Sequence, residues 1–327
     1  MSKSSPSPLD AYCFLSYAER EPHLRVVSPG SGRSAVAPAQ VIGADSALDN
    51  MLLRDGWVCI NNNNQVWSMP LPMVNPARLV ATSFRAVPAA DSRHVWVCPV
   101  DTPGKAVCID KDGAVVEIGS LPPGCALDAI CGDSWFVRRL DDRLTFVSDA
   151  SGKVRRDLGV GSVVTAACKT VVLKRHHDVP LFVDRDGQRV LNPERRYWFT
   201  LLDIETLEER QLGTDRSPRS ADVSPDGSRI VVIGSADDGR SASVSLFDGV
   251  SGEMLSRHDR FDHAGFGCWT RDARWYFFQN VRVDGASVAW CLESVSHEIR
   301  QLSAADELST FAMDATGLEL GANPWQG

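Results

Sequence analysis

The chain has 327 residues, of which 43% are hydrophobic and 23% are charged, a balance typical of a folded globular protein. It contains no run of about eighteen apolar residues that could cross a bilayer as a helix. The formal net charge of −8 disfavours nucleic acid, whose binding needs a large basic surface. We therefore expect neither a membrane nor a nucleic-acid partner.

Residues 1–9 form a polar stretch rich in Ser and Pro. The stretch lacks the apolar core and the small-residue cleavage site of a secretory signal. We therefore expect a disordered tail, a cytoplasmic location and a single domain over residues 10–327. The nine cysteines are an odd number, so we expect reduced, mostly buried thiols that serve as small hydrophobes. Those assigned to strands are Cys59, Cys98, Cys108, Cys131, Cys168, Cys268 and Cys291.

The predicted strands begin at residues 11–17 and 23–27 and recur about every ten residues along the chain. They are short runs rich in Val, Phe, Trp, Ile and Thr, separated by Gly, Asp, Ser and Pro. No segment has the sustained apolar spacing of an amphipathic helix. The sequence therefore predicts an all-β protein.

One hairpin repeats in chain order: an apolar residue, usually an acid, a turn rich in Gly, Ser and Thr, and a second apolar strand. Its acids are Asp110, Asp149, Asp203, Asp248 and Glu293. They are 39, 54, 45 and 45 residues apart, close to the about 40–45 residues of a four-stranded propeller blade. An earlier copy at 27–32 starts two blade lengths before Asp110, and the strand at 65–70 supplies the missing copy. The spacing therefore predicts seven blades.

A second marker, Ser224-Pro-Asp-Gly227, lies half a blade away, with degenerate copies at 268–278 and 312–318. At these residues the chain resembles the WD40-like and TolB-like β-propellers, whose blades carry Ser-Pro-Asp-Gly between the innermost strand and the next. The resemblance implies the architecture alone. The chain lacks the Gly-His and Trp-Asp dipeptides of true WD40 repeats, so the peptide-binding roles of that family do not carry over.

The two ends of the chain should complete one blade. Residues near 306–320 offer only an inner strand or two after the last full hairpin, and residues near 10–45 have no inner strand before them. We therefore predict a seven-bladed β-propeller of four-stranded antiparallel blades, closed by N- and C-terminal strands in a shared blade. Closure of this kind removes free sheet edges.

An insertion at about 174–196 is the largest departure from the repeat, and it carries a candidate hairpin around Gly187. Loops of this class emerge, together with the loops between blades, at one end of a propeller, here called the top face. Function often resides in loops that converge on a rigid scaffold, so we expect the site at the centre of this face. The groups that it would collect include Arg138, Arg139, His176, His177, Arg195, Arg196, Arg216, Arg219, Asp262 and His263.

Two functions fit such a site. In the first, the top face binds a protein partner or a small ligand such as an anion, because guanidinium groups make bidentate contacts with carboxylate and phosphate. The ligand-binding candidates are Arg139, Arg195, Arg196, Tyr197, Arg216 and Arg219. In the second, the site is that of a lyase, hydrolase or cyclase, in which histidines transfer protons. The catalytic candidates are His176, His177 and His263.

Structural roles for the same residues remain open. Adjacent side chains in extended chain point to opposite faces, so at most one of His176 and His177 can enter the centre. The arginines of the insertion can instead pair with nearby acids and order the loop. No nucleophile elbow, Walker loop, Cys-x-x-Cys pair or His-Glu-x-x-His motif is present, so we expect no cofactor and no metal. The oligomeric state is left open.

Overall fold

The computed structural model describes residues 12–18, 21–28, 33–37, 50–54, 57–62, 64–70, 78–91, 93–141, 143–177, 179–180, 182–185, 187–192, 196–213, 218–236, 241–270, 272–283, 287–301 and 309–311. Over these ranges the chain forms 29 strands and no helix, which confirms the all-β prediction. Accordingly, no helix in this part of the chain could span a membrane.

In chain order the strands are β1 (Tyr12–Ala18), β2 (Glu21–Ser28), β3 (Arg33–Ala37), β4 (Asn50–Arg54), β5 (Trp57–Asn62), β6 (Gln65–Pro70), β7 (Arg78–Pro88), β8 (Val95–Pro99), β9 (Lys105–Ile109), β10 (Val115–Ser120), β11 (Cys125–Cys131), β12 (Ser134–Arg139), β13 (Leu144–Ser148), β14 (Val154–Val160), β15 (Ser162–Ala167), β16 (Thr170–His176), β17 (Phe182–Arg185), β18 (Gln188–Leu191), β19 (Tyr197–Asp203), β20 (Glu209–Gln211), β21 (Pro218–Val223), β22 (Arg229–Ser235), β23 (Ala242–Asp248), β24 (Met254–Phe261), β25 (His263–Trp269), β26 (Trp275–Val281), β27 (Ser287–Glu293), β28 (Ile299–Gln301) and β29 (Ser309–Phe311).

Antiparallel pairing of sequence neighbours builds the sheets. Among the described strands, five sheets have four strands each, in the orders β29-β1-β2-β3, β11-β12-β13-β14, β15-β16-β19-β20, β21-β22-β23-β24 and β25-β26-β27-β28. β29 pairs with β1, with Phe311 opposite Leu15, as expected of the two ends of the chain. The separate two-stranded sheet β17–β18 is the hairpin predicted within the insertion.

A seven-stranded sheet, β4 to β10, contains two further four-strand units that share β7. Residues 78–82 of β7 pair with β6, and residues 83–88 pair with β8. The partner changes at Ser83, whose hydroxyl accepts hydrogen bonds from the N–H groups of Cys98 and Arg85 at 2.9 and 3.3 Å. One continuous strand is therefore the outer strand of the β4–β7 unit and the inner strand of the β7–β10 unit.

The repeated acids bind the turns of their own hairpins. At four of the five positions one carboxylate oxygen accepts hydrogen bonds from two N–H groups of the turn, at 2.8–3.2 Å. These four are Asp110, Asp149, Asp203 and Asp248. An aspartate that binds backbone N–H groups two or more residues onward stabilises a turn in this way. The repeat therefore reflects turn chemistry at the end of the sheets opposite the top face.

The cores lie between successive sheets. One cluster joins Phe261 of the β21–β24 sheet to Tyr276 and Phe278 of the β25–β28 sheet, and similar clusters lie between the other neighbouring units from β4 to β24. Both faces of these sheets are thus buried, which explains near-continuous apolar runs such as 230–233. Full burial of one such side chain contributes about 1.5–3 kcal/mol.

Six of the described cysteines are buried, while the side chains of Cys13 and Cys268 lie outside the description. The assignment of Cys168 to a strand is wrong. It occupies the turn between β15 and β16 with a φ of 52°, and its side chain is exposed. No Gly, Asn or Pro marks this turn in the sequence, so local patterns did not indicate it.

Candidate functional site

The strand directions bring five of the predicted site residues to the same end of their sheets. Arg139 ends β12 opposite the start of β11, and His176 ends β16 opposite Tyr197. Arg219 and His263 stand at the starts of the inner strands β21 and β25. This end is the top face, while Arg195 and Arg216 lie outside the described residues.

Aromatic contacts hold the base of the insertion. The ring of His176 lies 5.9 Å from that of Tyr197, over which the Lys174 ammonium lies at 4.4 Å. The ring of His177 lies 5.1 Å from that of Trp198, and the backbone N–H of His177 donates to the backbone carbonyl of Arg196. These contacts show that both histidines help to order the insertion.

The top-face candidates are not joined to one another by polar contacts. Within the described part of the chain, no hydrogen bond or ion pair links the side chains of His177, Arg196, Arg219 and His263. All four residues are exposed. Arg139 instead lies over the ring of Phe146, at 5.2 Å. A shared site at the top face therefore stays a prediction.

The structure reveals a cavity of about 210 Å³ between the inner strands of neighbouring sheets. Its walls come from the inner strands β4, β7, β11, β15 and β21, through Leu52, residues 85–88, 128–130 and 163–166, and Asp222. We call it the channel cavity. It holds about seven water volumes at about 30 Å³ each, so it suits a small ligand.

A β-bulge interrupts five of the described inner strands. The register shifts lie between Ser83 and Ala86 in β7, Leu127 and Ala129 in β11, Val163 and Thr165 in β15, Pro218 and Ser220 in β21, and Gly265 and Gly267 in β25. Bulges redirect side chains and are common beside active sites. Here they fall at Arg85 and Asp128 of the cavity and at Arg219 of the top face.

The strongest charge cluster of the cavity is built on Asp128, whose side chain is only 2% exposed. Arg138 donates to both carboxylate oxygens, from Nε at 2.9 Å and from Nη2 at 3.3 Å. Arg85 places Nη1 at 3.6 Å from Oδ1, yet its side chain is 42% exposed. Two guanidinium groups therefore share one carboxylate, which leaves a local surplus of positive charge around Asp128.

Asp222 supplies a carboxyl group from another wall. Its Oδ2 accepts a hydrogen bond from the Tyr276 hydroxyl at 2.6 Å, and its backbone carbonyl accepts one from Trp269 Nε1 at 3.1 Å. Burial raises the pKa of Asp222 to about 6, against the lowering effect of the Tyr276 hydrogen bond. Asp222 can therefore gain or lose a proton close to neutral pH.

The residues of the channel cavity lie on inner strands, whereas the predicted site residues come from loops and strand ends. The available signal was a charged residue inside an otherwise apolar strand, as at Asp128 in Ala126-Leu-Asp-Ala-Ile130. No group of three or more His, Cys, Asp or Glu among the described residues could hold a metal ion. The arrangement offers cationic donors and one titratable acid.

Comparisons with known proteins bear on the fold. No known protein family matches the chain, and no curated protein matches its sequence. The structure is similar to dihydro-heme d1 dehydrogenase NirN in complex with DHE, with a TM-score of 0.54, 14% identity and coverage of 94% of this chain and 75% of that chain. It is also similar to apo AztD from Citrobacter koseri, with a TM-score of 0.52, 11% identity and coverage of 94% and 98%. At such identities the likeness shows the fold alone, and the chain accordingly has a β-propeller-like fold of antiparallel sheets.

Proposed function

We propose that the protein is a closed seven-bladed β-propeller that binds a small anionic ligand in its channel cavity. The five four-stranded sheets and the two units that share β7 support the count of seven. The pairing of β29 with β1 supports closure. The surplus positive charge around Asp128 carries the ligand assignment.

Arg85 is the group that would bind the anion. Both oxygens of Asp128 already accept hydrogen bonds from Arg138, so Arg85 is held near a counter-charge while its own donors remain available to the cavity. A guanidinium group has five N–H donors, and a carboxylate or phosphate takes two of them in a bidentate contact. A cavity of about 210 Å³ limits the ligand to a small acid or oxyanion.

The top face would form the entrance to this site. Arg219 stands at the start of β21, whose later residue Asp222 borders the cavity, so an anion that enters from this face would pass Arg219. The insertion would shape the same mouth. On this proposal, Arg196 and His177 affect the entry of the anion more than they affect its contact with Arg85.

A second candidate function is suggested by Asp222. A carboxyl group with a pKa of about 6, hydrogen-bonded to Tyr276 and bordering the same cavity, matches what general acid–base catalysis at neutral pH requires. The channel cavity would then be the active site of a lyase, hydrolase or cyclase whose substrate is held by Arg85.

Titration with inorganic phosphate and with succinate tests the binding proposal. Arg85→Ala should weaken binding of the preferred anion at least tenfold, because loss of a charge-assisted hydrogen bond removes about 1.5–3 kcal/mol. Isothermal titration calorimetry on purified protein measures the affinity. Arg78→Ala is the matched control, since Arg78 is 68% exposed and lies outside the cavity. Equal affinities of the wild type and the Arg85 variant would overturn the proposal.

A further inference from the structure

A second, larger hollow lies at the end of the sheets opposite the top face. It has a volume of about 570 Å³ and separates the β7–β10 unit from the β11–β14 sheet. The indole rings of Trp96 and Trp135 form its floor, with centroids 4.8 Å apart and an interplanar angle of 67°. We call it the lower groove.

The outer wall of the lower groove is apolar and exposed. Val116 lines the groove from β10 and is 56% exposed, and its neighbours Val115 and Ile118 on the same strand are 58% and 60% exposed. β10 is the last strand of its sheet. Soluble proteins usually protect an edge strand with charged side chains, so an apolar edge beside a groove is typical of an interaction surface.

The rim of the lower groove carries a negative charge. Its carboxylates come from four different segments: Asp91, Glu117, Asp133 and Asp149. His94 is bonded to the first of them, and Arg155 lies 3.7 Å from the last. Over the described residues, the side-chain carboxylates of Glu117 and Asp133 make no hydrogen bond or ion pair. These two carboxylates stand on the two sides of the groove, so a cation between them would meet both.

We propose that the lower groove docks a polypeptide segment in which an arginine or lysine is flanked by apolar residues. The basic side chain lies between Glu117 and Asp133, where the two carboxylates attract a cation. The flanking residues cover Val116. An extended segment fits this surface because the free edge of β10 offers backbone groups for strand addition.

A short synthetic peptide tests the docking. The probe is the blocked pentapeptide Thr-Val-Arg-Val-Thr, and its partner carries norleucine in place of arginine. Binding is followed by the fluorescence of the tryptophans in the groove floor and by calorimetry. The protein variants are Glu117→Gln, Asp133→Asn and their combination, with Glu298→Gln as the matched control, an exposed acid of the β25–β28 sheet.

The arginine peptide should bind saturably, and the double variant should raise its Kd at least fivefold, while Glu298→Gln leaves the Kd unchanged. The norleucine peptide should bind the wild type more weakly than the arginine peptide does. Its Kd should be the same for the wild type and for the double variant. Equal binding of the two peptides, or an unchanged Kd in the double variant, would overturn the proposal. So would the absence of saturable binding. Because the substituted residues are exposed, thermal melting should confirm that every variant folds.

Discussion

Asp128→Ala should lower the free energy of unfolding by about 1.5–3 kcal/mol, because it removes hydrogen bonds between charged groups while the two guanidinium groups left behind are partly exposed. The buried carboxylate of Asp128 accepts two hydrogen bonds from Arg138 and lies 3.6 Å from Arg85. Its removal leaves two guanidinium groups in the channel wall without their shared counter-charge. Urea unfolding at neutral pH measures the loss.

Two variants separate this effect from the general effect of losing an aspartate. Asp157→Ala, at an exposed aspartate of β14, should change the free energy of unfolding by less than about 1 kcal/mol. Adding Arg138→Met to Asp128→Ala should recover much of the loss, because the orphaned charge is then replaced by an apolar side chain. A loss below about 1 kcal/mol in Asp128→Ala would show that the cluster is not buried as described.

The contribution of Asp222 to the stability of the protein should fall as the pH rises from about 4 to about 7, so the difference in stability between the wild type and Asp222→Asn should change by the same amount over this window. Burial raises the pKa of Asp222 from 3.8 to about 6, so the folded state holds its proton more tightly than the unfolded state does. The resulting stabilisation is complete below the ordinary pKa and is lost as the pH passes through about 6. The difference is at most about 3 kcal/mol.

Asp203→Asn provides the opposite control. The backbone N–H groups of Thr206 and Glu205 hold the pKa of Asp203 below its usual value, so its contribution to stability is present at neutral pH and is lost on acidification. At pH 7.5 the Asp203 variant should therefore be less stable than the wild type, and the Asp222 variant more stable. Thermal melting from pH 4 to 8 measures both. An Asp222 variant that follows the wild-type profile would contradict the assigned pKa.

The sheets were predictable from sequence because strand pairing within each unit is local. A turn acid such as Asp110 or Asp248 recurs at nearly constant spacing, and its carboxylate binds the N–H groups of its own turn. The insertion was predictable for the same reason, because its length interrupts the regular spacing of the turn acids. Its β17–β18 hairpin has its own turn at Gly187. Repetition therefore indicated the architecture before any three-dimensional contact was known.

The channel cavity was not predictable because its properties depend on distant neighbours. Asp128 and Arg138 are ten positions apart on adjacent strands, but Arg85 belongs to the preceding unit. The pKa of Asp222 depends on burial and on Tyr276, which is 54 positions away. The bulges that redirect inner-strand side chains leave no local mark in the sequence. The composition of the loops thus indicated a site at the top face, whereas the charged groups of Arg85 and Asp128 lie on the inner strands.

Anomalous diffraction from crystals soaked in selenate tests the central claim most directly, because selenate is a tetrahedral oxyanion that selenium absorption can locate. We expect an anomalous peak in the channel cavity within hydrogen-bond distance of the Arg85 guanidinium, and no such peak in crystals of Arg85→Ala. Peaks confined to the exposed arginines of the top face, such as Arg196 and Arg219, with an empty cavity would contradict it.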